Sequence, residues 1–205
     1  MADEDPEVSE WLQRYPPADL TPGEFENWVA EVFASVGPEL NDLRVEVHER
    51  VTGIDGSYDF DATARYRWAG LDFLVLIEAK LHANPIKREL VQALHSKIQS
   101  VGAHKGVMFS TARFQRGAME FAKVHGIALV SVTEGRLTFA TRSRTPPPVL
   151  SREQAFELFG SPTFVGFCYG PGDTPDSTSV TIISTEHPDY IRRLLLAVPA
   201  RELSE

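Results

Sequence analysis

Residues 71–80 read Leu-Asp-Phe-Leu-Val-Leu-Ile-Glu-Ala-Lys, an almost continuous apolar run that closes on two charges. A run of this kind is the pattern of a central strand covered on both faces of its sheet. Glu78 and Lys80 stand two residues apart, so on a strand they point the same way. A buried strand that ends in two charges is unusual, because unpaired charges are costly away from water.

The preceding segments read as strands too. In residues 43–51, Leu43, Val45 and Val47 alternate with polar residues, and the turn Gly53-Ile-Asp-Gly56 follows. Residues 58–68 alternate strictly. Tyr58, Phe60, Ala62, Ala64, Tyr66 and Trp68 are expected on one face, with Asp59, Asp61, Thr63 and Arg65 on the other.

Ahead of these strands a helix starts cleanly: Thr21 is its cap, Pro22 suits the first helical position, and Glu24 completes a capping box. Phe25, Val29, Val32 and Val36 fall on one face, with Trp28 and Phe33 at its margins and Gly37 as the stop. Glu26 lies about 100° around from Phe25, at the edge of that stripe. Downstream, the periodicity predicts a helix over 85–101, with Ile86, Leu90, Leu94 and Ile98 at four-residue steps. It then predicts a strand over 106–109, a helix over 115–125 with Ala118, Phe121 and Ala122 inward, a strand over 127–132 and a short one at 137–139. The order α-β-β-β-α-β-α-β implies an α/β fold, a mixed β-sheet flanked by helices.

Thr145-Pro-Pro-Pro148 is a stiff connector and the best boundary in the chain. It divides an amino-terminal arm (1–20) and a main domain (21–144) from a C-terminal α+β extension (145–205). That extension has helical patterning at 151–159 and 190–198 and strand patterning at 163–169 and 179–185. Its role is unassigned: it either docks onto the main domain or mediates a homodimer. There is no internal repeat. The longest apolar run, residues 73–77, is far shorter than the roughly 20 residues a bilayer span needs, so no membrane association is expected. The acidic start Met-Ala-Asp-Glu-Asp is followed by no apolar stretch and does not read as a secretory signal. A single cysteine, Cys168, excludes a disulfide within the chain and a cysteine-based zinc cluster. The expected setting is the cytoplasm.

A net charge of −9 looks wrong for a nucleic-acid binder, but its distribution is uneven. From Lys80 to Gly126 there are eight Lys/Arg (Lys80, Lys87, Arg88, Lys97, Lys105, Arg113, Arg116, Lys123) against Glu89 and Glu120. That segment carries +6 and the rest −15. The asymmetry permits phosphate binding.

The constellation that carries chemistry is an aspartate on one strand and Glu-x-Lys at the end of the next. Carboxylates hold a hard divalent cation, a bound cation activates water at a phosphodiester, and a nearby lysine offsets transition-state charge. A hairpin would set Asp61 beside Glu78, with Lys80 pointing to the same place. The plain alternative is a solvated salt bridge at a strand end. Asp55 and Asp59 compete with Asp61 for the first position.

The stretch 21–130 resembles the Mrr-type restriction endonuclease catalytic domain of the PD-(D/E)xK nuclease superfamily. The resemblance rests on Thr21-Pro-Gly-Glu-Phe-Glu26, on Gly53-Ile-Asp-Gly ahead of Phe60-Asp61, and on Val75-Leu-Ile-Glu-Ala-Lys80. It continues with Gly106-Val-Met-Phe-Ser-Thr-Ala-Arg-Phe114, Gly117-Ala-Met-Glu-Phe-Ala122 and Gly126-Ile-Ala-Leu-Val130. It implies a restriction-endonuclease-like fold and a Mg²⁺-dependent endonuclease acting on DNA, in restriction or defence against foreign DNA. It also implies Asp61 and Glu78 as metal ligands, Lys80 as the catalytic lysine and Glu26 as a supporting carboxylate. Ala79 stands where relatives often have Cys or Gln. Further polar contacts to DNA are conceivable at His82, Lys87, Gln92 and Ser110-Thr111 with Arg113, although solvated surface or an ordinary turn accounts for each. The reading from another class is a nuclease-fold module that binds nucleic acid or a protein without cutting.

Overall fold

The structure, a computed structural model, describes residues 20–35, 40–134, 164–171 and 178–185, with Gln154, Glu157, Ile191, Arg192 and Leu195. The arm up to residue 19, Val36 and Gly37, the short strand at 137–139 and the connector at 145–148 lie outside the described residues.

Helix α1 spans Pro22–Ala34 and begins as its sequence dictates. The Glu24 carboxylate accepts the Thr21 backbone N–H at 2.8 Å, and the Thr21 hydroxyl accepts the Glu24 N–H, closing the capping box. Its buried residues are Phe25, Trp28, Val29, Val32 and Phe33. Trp28 and Phe33 are thus core residues rather than margins. Their rings reach sideways to meet Phe109 edge to face, at 6.2 and 5.9 Å between centroids.

Among the described residues seven strands form one sheet in sequence order: β1 Asn41–Thr52, β2 Ser57–Trp68, β3 Leu71–Lys80, β4 Lys105–Ser110, β5 Ala128–Glu134, β6 Phe164–Pro171 and β7 Thr178–Ile183. The first three are antiparallel hairpins, β3, β4 and β5 run parallel, and β6 and β7 are antiparallel again. Ala69 and Gly70 both have positive φ, which makes the two-residue turn between β2 and β3 and sets their register as Trp68 opposite Leu71. Parallel strands need crossovers, supplied by α2 (Arg88–Val101) and α3 (Arg116–His125). The strands expected in the C-terminal extension are β6 and β7, and they continue the same sheet beyond β5.

Each face of the sheet has its own core. α1 covers Ala62, Ala64, Tyr66, Val75, Ile77, Val107, Phe109, Val130 and Val132, joined by the helical residues Ile191 and Leu195. The Tyr66 hydroxyl donates to the Leu195 carbonyl at 2.8 Å. α2 and α3 cover the other face, where Leu76, Met108 and Leu129 meet Ile86, Val91, Leu94, Ile98, Ala118 and Ala122. This is an α/β fold with a mixed sheet between helical layers. No helix among the described residues is long and apolar enough to cross a membrane.

Two local expectations need correction. The helix expected from residue 85 begins at Arg88, because the backbone of Ile86 is extended and already engaged. Its N–H donates to the Arg113 carbonyl at 2.8 Å, and its carbonyl accepts the Gln115 N–H at 2.9 Å. The strict alternation over 58–68 also fails at one point. Phe60 belongs to the core under α2 and α3, whereas Ala62, Ala64 and Tyr66 belong to the core under α1. β2 changes face between Phe60 and Ala62, at Asp61.

Candidate active site

The change of face follows from strand pairing. The β2–β3 ladder runs from Trp68↔Leu71 to Ala62↔Ile77 and stops there. In β1, the constant register before and after (Val47↔Ala62, Glu49↔Phe60) sets His48 opposite Asp61, and His48 has φ 54°. A non-glycine residue in that region bends a strand locally. Beyond this point β2 stays with β1, while β3 stays with β4 through Glu78↔Met108, Ala79↔Phe109 and Lys80↔Ser110. The Asp61 carboxylate bridges the split: its Oδ2 accepts the Ala79 backbone N–H at 2.7 Å.

Two carboxylates and two ammonium groups meet at this split. Glu78 is 5% exposed. Lys80 Nζ lies 2.5 Å from Glu78 Oε2 and 3.5 Å from Asp61 Oδ2. Lys97 Nζ, reaching in from α2, lies 2.5 Å from Glu78 Oε1 and 5.2 Å from the centroid of the Phe60 ring. Two acids thus face two lysines, and the buried charge of Glu78 is compensated on both oxygens. Burial disfavours the Lys80 ammonium. The hydrogen bond and charge of Glu78, with the charge of Asp61, outweigh that, so the pKa of Lys80 is raised above the ordinary lysine value.

The remaining sequence candidates fall elsewhere. Glu26, on α1, pairs with His48 Nε2 at 3.3 Å. It therefore adjoins the strand position opposite Asp61 without joining the Asp61–Glu78–Lys80 contacts. Asp59 is exposed and doubly hydrogen bonded to Arg50, at 2.7 Å from each carboxylate oxygen. Asp55 accepts from the Tyr58 hydroxyl at 2.8 Å and from the Ser100 hydroxyl, which pin the β1–β2 turn to the end of α2. Of the three competing aspartates, Asp61 alone contacts the Glu-x-Lys segment among the described residues. The Ser110 and Thr111 hydroxyls serve the main chain. Ser110 accepts from the Ala112 N–H at 3.0 Å, and Thr111 accepts from the His82 N–H at 3.1 Å. Gln92 is exposed.

Lys97 is the residue that sequence reasoning missed. The available signal was its place beside Leu94 and Ile98, at the edge of the apolar stripe of α2, where a charge needs a partner across the interface.

The pair of carboxylates has the hard oxygen character that Mg²⁺ requires, and such an ion keeps several waters of its own. Asp61 and Glu78 suit that chemistry. Among the described residues no group of three or more His, Cys, Asp or Glu is gathered so as to hold a metal by protein ligands alone.

A mixed sheet split between an Asp-bearing strand and a Glu-x-Lys strand defines a restriction-endonuclease-like domain. Residues 17–134 match the Mrr_cat restriction endonuclease model, and the chain belongs to that family. The fold is similar to that of the DNA modification-dependent restriction endonuclease AspBHI, at 23% identity over 62% of this chain and 33% of that one, with a TM-score of 0.40. It is also similar to the MspJI restriction endonuclease solved with a 27-mer oligonucleotide (18% identity, 62% and 26% covered, TM-score 0.36). A third similar structure is that of a protein of unknown function, AF1548 (19% identity, 51% and 56% covered, TM-score 0.40). The match spans 56% of the AF1548 chain and a third or less of the other two. No curated protein matches the chain.

Proposed function

We propose that this protein is a Mg²⁺-dependent endonuclease that hydrolyses phosphodiester bonds in DNA, acting in the cytoplasm in restriction or defence against foreign DNA. The observation that supports the reading is that one ammonium group, that of Lys80, contacts the carboxylates of both Asp61 and Glu78. In this reading Asp61 and Glu78 hold the cation, which supplies charge stabilisation at the phosphate and a water of lowered pKa. Lys80, held as an ammonium, orients that water and offsets developing charge. Glu26 steadies a second water or ion from the α1 side.

DNA as the partner is supported by the placement of charge. α2 follows β3 and α3 follows β4, so both helices begin at the edge of the sheet where Glu78 and Lys80 lie. Their entries carry exposed Lys87, Arg88, Arg113 and Arg116. Basic side chains at helix amino termini suit phosphates. A homodimer through residues 145–205 would place two such centres on a duplex.

The second reading, a nuclease-fold module that binds without cutting, is favoured by one observation: both oxygens of Glu78 are held by lysines. Incubating supercoiled plasmid with the protein in Mg²⁺, in Mn²⁺ and in excess chelator separates the two. Nicking or linearisation that the chelator stops supports the enzyme. An intact plasmid under every metal, with retained DNA binding, supports the module.

A further inference from the structure

Resting on the cation reading above, the observation that both oxygens of Glu78 are occupied has a physical consequence. A divalent cation cannot approach Glu78 without displacing an ammonium group or enduring its repulsion at close range in a mostly buried site. The two lysines are not equivalent. Lys80 contacts two carboxylates and grows from the same strand as Glu78, two residues on. Lys97 contacts one carboxylate, and comes from a helix on the covering layer. Its ammonium sits at the end of a flexible four-carbon stem. It lies 5.2 Å from the Phe60 ring, whose π face offers a cation a second resting place when the carboxylate is withdrawn. The two lysine side chains are almost equally exposed, at 26% and 27%, so the difference between them lies in what they contact. The ammonium with a single carboxylate in direct contact, Asp59 acting on it only as a more distant charge, is the more readily displaced.

We propose that Lys97 is a built-in competitor for the cation: it neutralises Glu78 in the metal-free protein, is displaced when a divalent cation binds, and so sets the affinity of the site. It is a positioning residue, acting through Glu78 and not on the substrate.

The test is calorimetric titration of Mn²⁺ alone into the full chain, at low ionic strength and without DNA. Lys97→Met keeps the length of the stem and removes the charge; it is expected to bind Mn²⁺ about tenfold tighter than the wild type. Lys97→Arg keeps the charge and can pair with Glu78 through two N–H groups, so it is expected to bind Mn²⁺ no tighter than the wild type. Metal-free Lys97→Met should melt below the wild type, because Glu78 loses a counter-ion, and should gain more on adding Mn²⁺. If the methionine variant does not fold, Lys97→Gln, which retains a donor for Glu78 Oε1, gives the same ranking. Unchanged or weaker Mn²⁺ binding by these charge-removing variants, with binding still abolished by Glu78→Gln, overturns the competitor and leaves the cation reading standing. No Mn²⁺ uptake by the wild type or by either charge-removing variant overturns both.

Discussion

The carboxylate of Asp61 accepts the backbone N–H of Ala79 at 2.7 Å, just beyond Ala62 and Ile77, the last paired residues of the β2–β3 ladder. A side chain thus takes the place of a main-chain partner where the two strands part. The same contact ties the aspartate to the peptide between Glu78 and Lys80. Asparagine retains a carbonyl oxygen for this bond and alanine does not. Asp61→Asn is therefore expected to melt near the wild type, while Asp61→Ala loses about 1–3 kcal/mol through an unsatisfied amide. Chemical denaturation of both variants checks this, and equal losses would mean that the bond to Ala79 contributes nothing.

Glu49 offers a test by pH away from the split. Burial raises its pKa, but hydrogen bonds from Arg65 and Thr63, with the charge of Arg65, outweigh it and hold the carboxyl below the ordinary glutamate value. A carboxyl depressed in the folded state stabilises above its unfolded pKa, and that contribution disappears as pH falls through the folded value. Glu49→Gln should cost about 1–2 kcal/mol at neutral pH. Melting from pH 7 to pH 3 should show the variant and wild type converging on the acidic side; a constant gap would refute the assignment.

Cys168 lies buried on β6, and burial pushes its thiol up to about 11. The thiolate is the reactive species. A thiol reagent at pH 8 is expected to leave the native protein unlabelled and to modify one thiol on unfolding. Rapid labelling of the native protein would show that this strand opens to solvent and would contradict the burial of the thiol.

Much of this architecture was legible because it rests on local periodicity. The apolar run of β3, the capping box of Thr21 and Glu24 and the patterns of β4, β5, β6 and β7 each announce themselves within a few residues. What escaped depends on tertiary pairing. The face of Phe60 is decided by where β2 leaves β3, and alternation alone carries no mark of that. The start of α2 is decided by the bridge from Ile86 to Phe114, far along the chain. Lys97 meets Glu78 across a helix–strand interface nineteen residues apart in sequence, so its partner could not be read from its neighbours.

The basic helix entries make a separate prediction about DNA. Lys87→Ala combined with Arg113→Ala should weaken binding to a duplex similarly across sequences and reduce the salt dependence of log K by about two. Mn²⁺ uptake should be unaffected. Filter binding across a salt series measures this, and an unchanged slope would remove these residues from the DNA contact.

The central claim is that the convergence of Asp61, Glu78 and Lys80 makes a cation-dependent cutting centre. The most direct measurement is the rate of plasmid cleavage in Mg²⁺ by Asp61→Ala, Glu78→Ala and Lys80→Ala, each first shown to be folded by circular dichroism. The account predicts that each falls below detection while the wild type cuts. Cleavage by all three at the wild-type rate would contradict it.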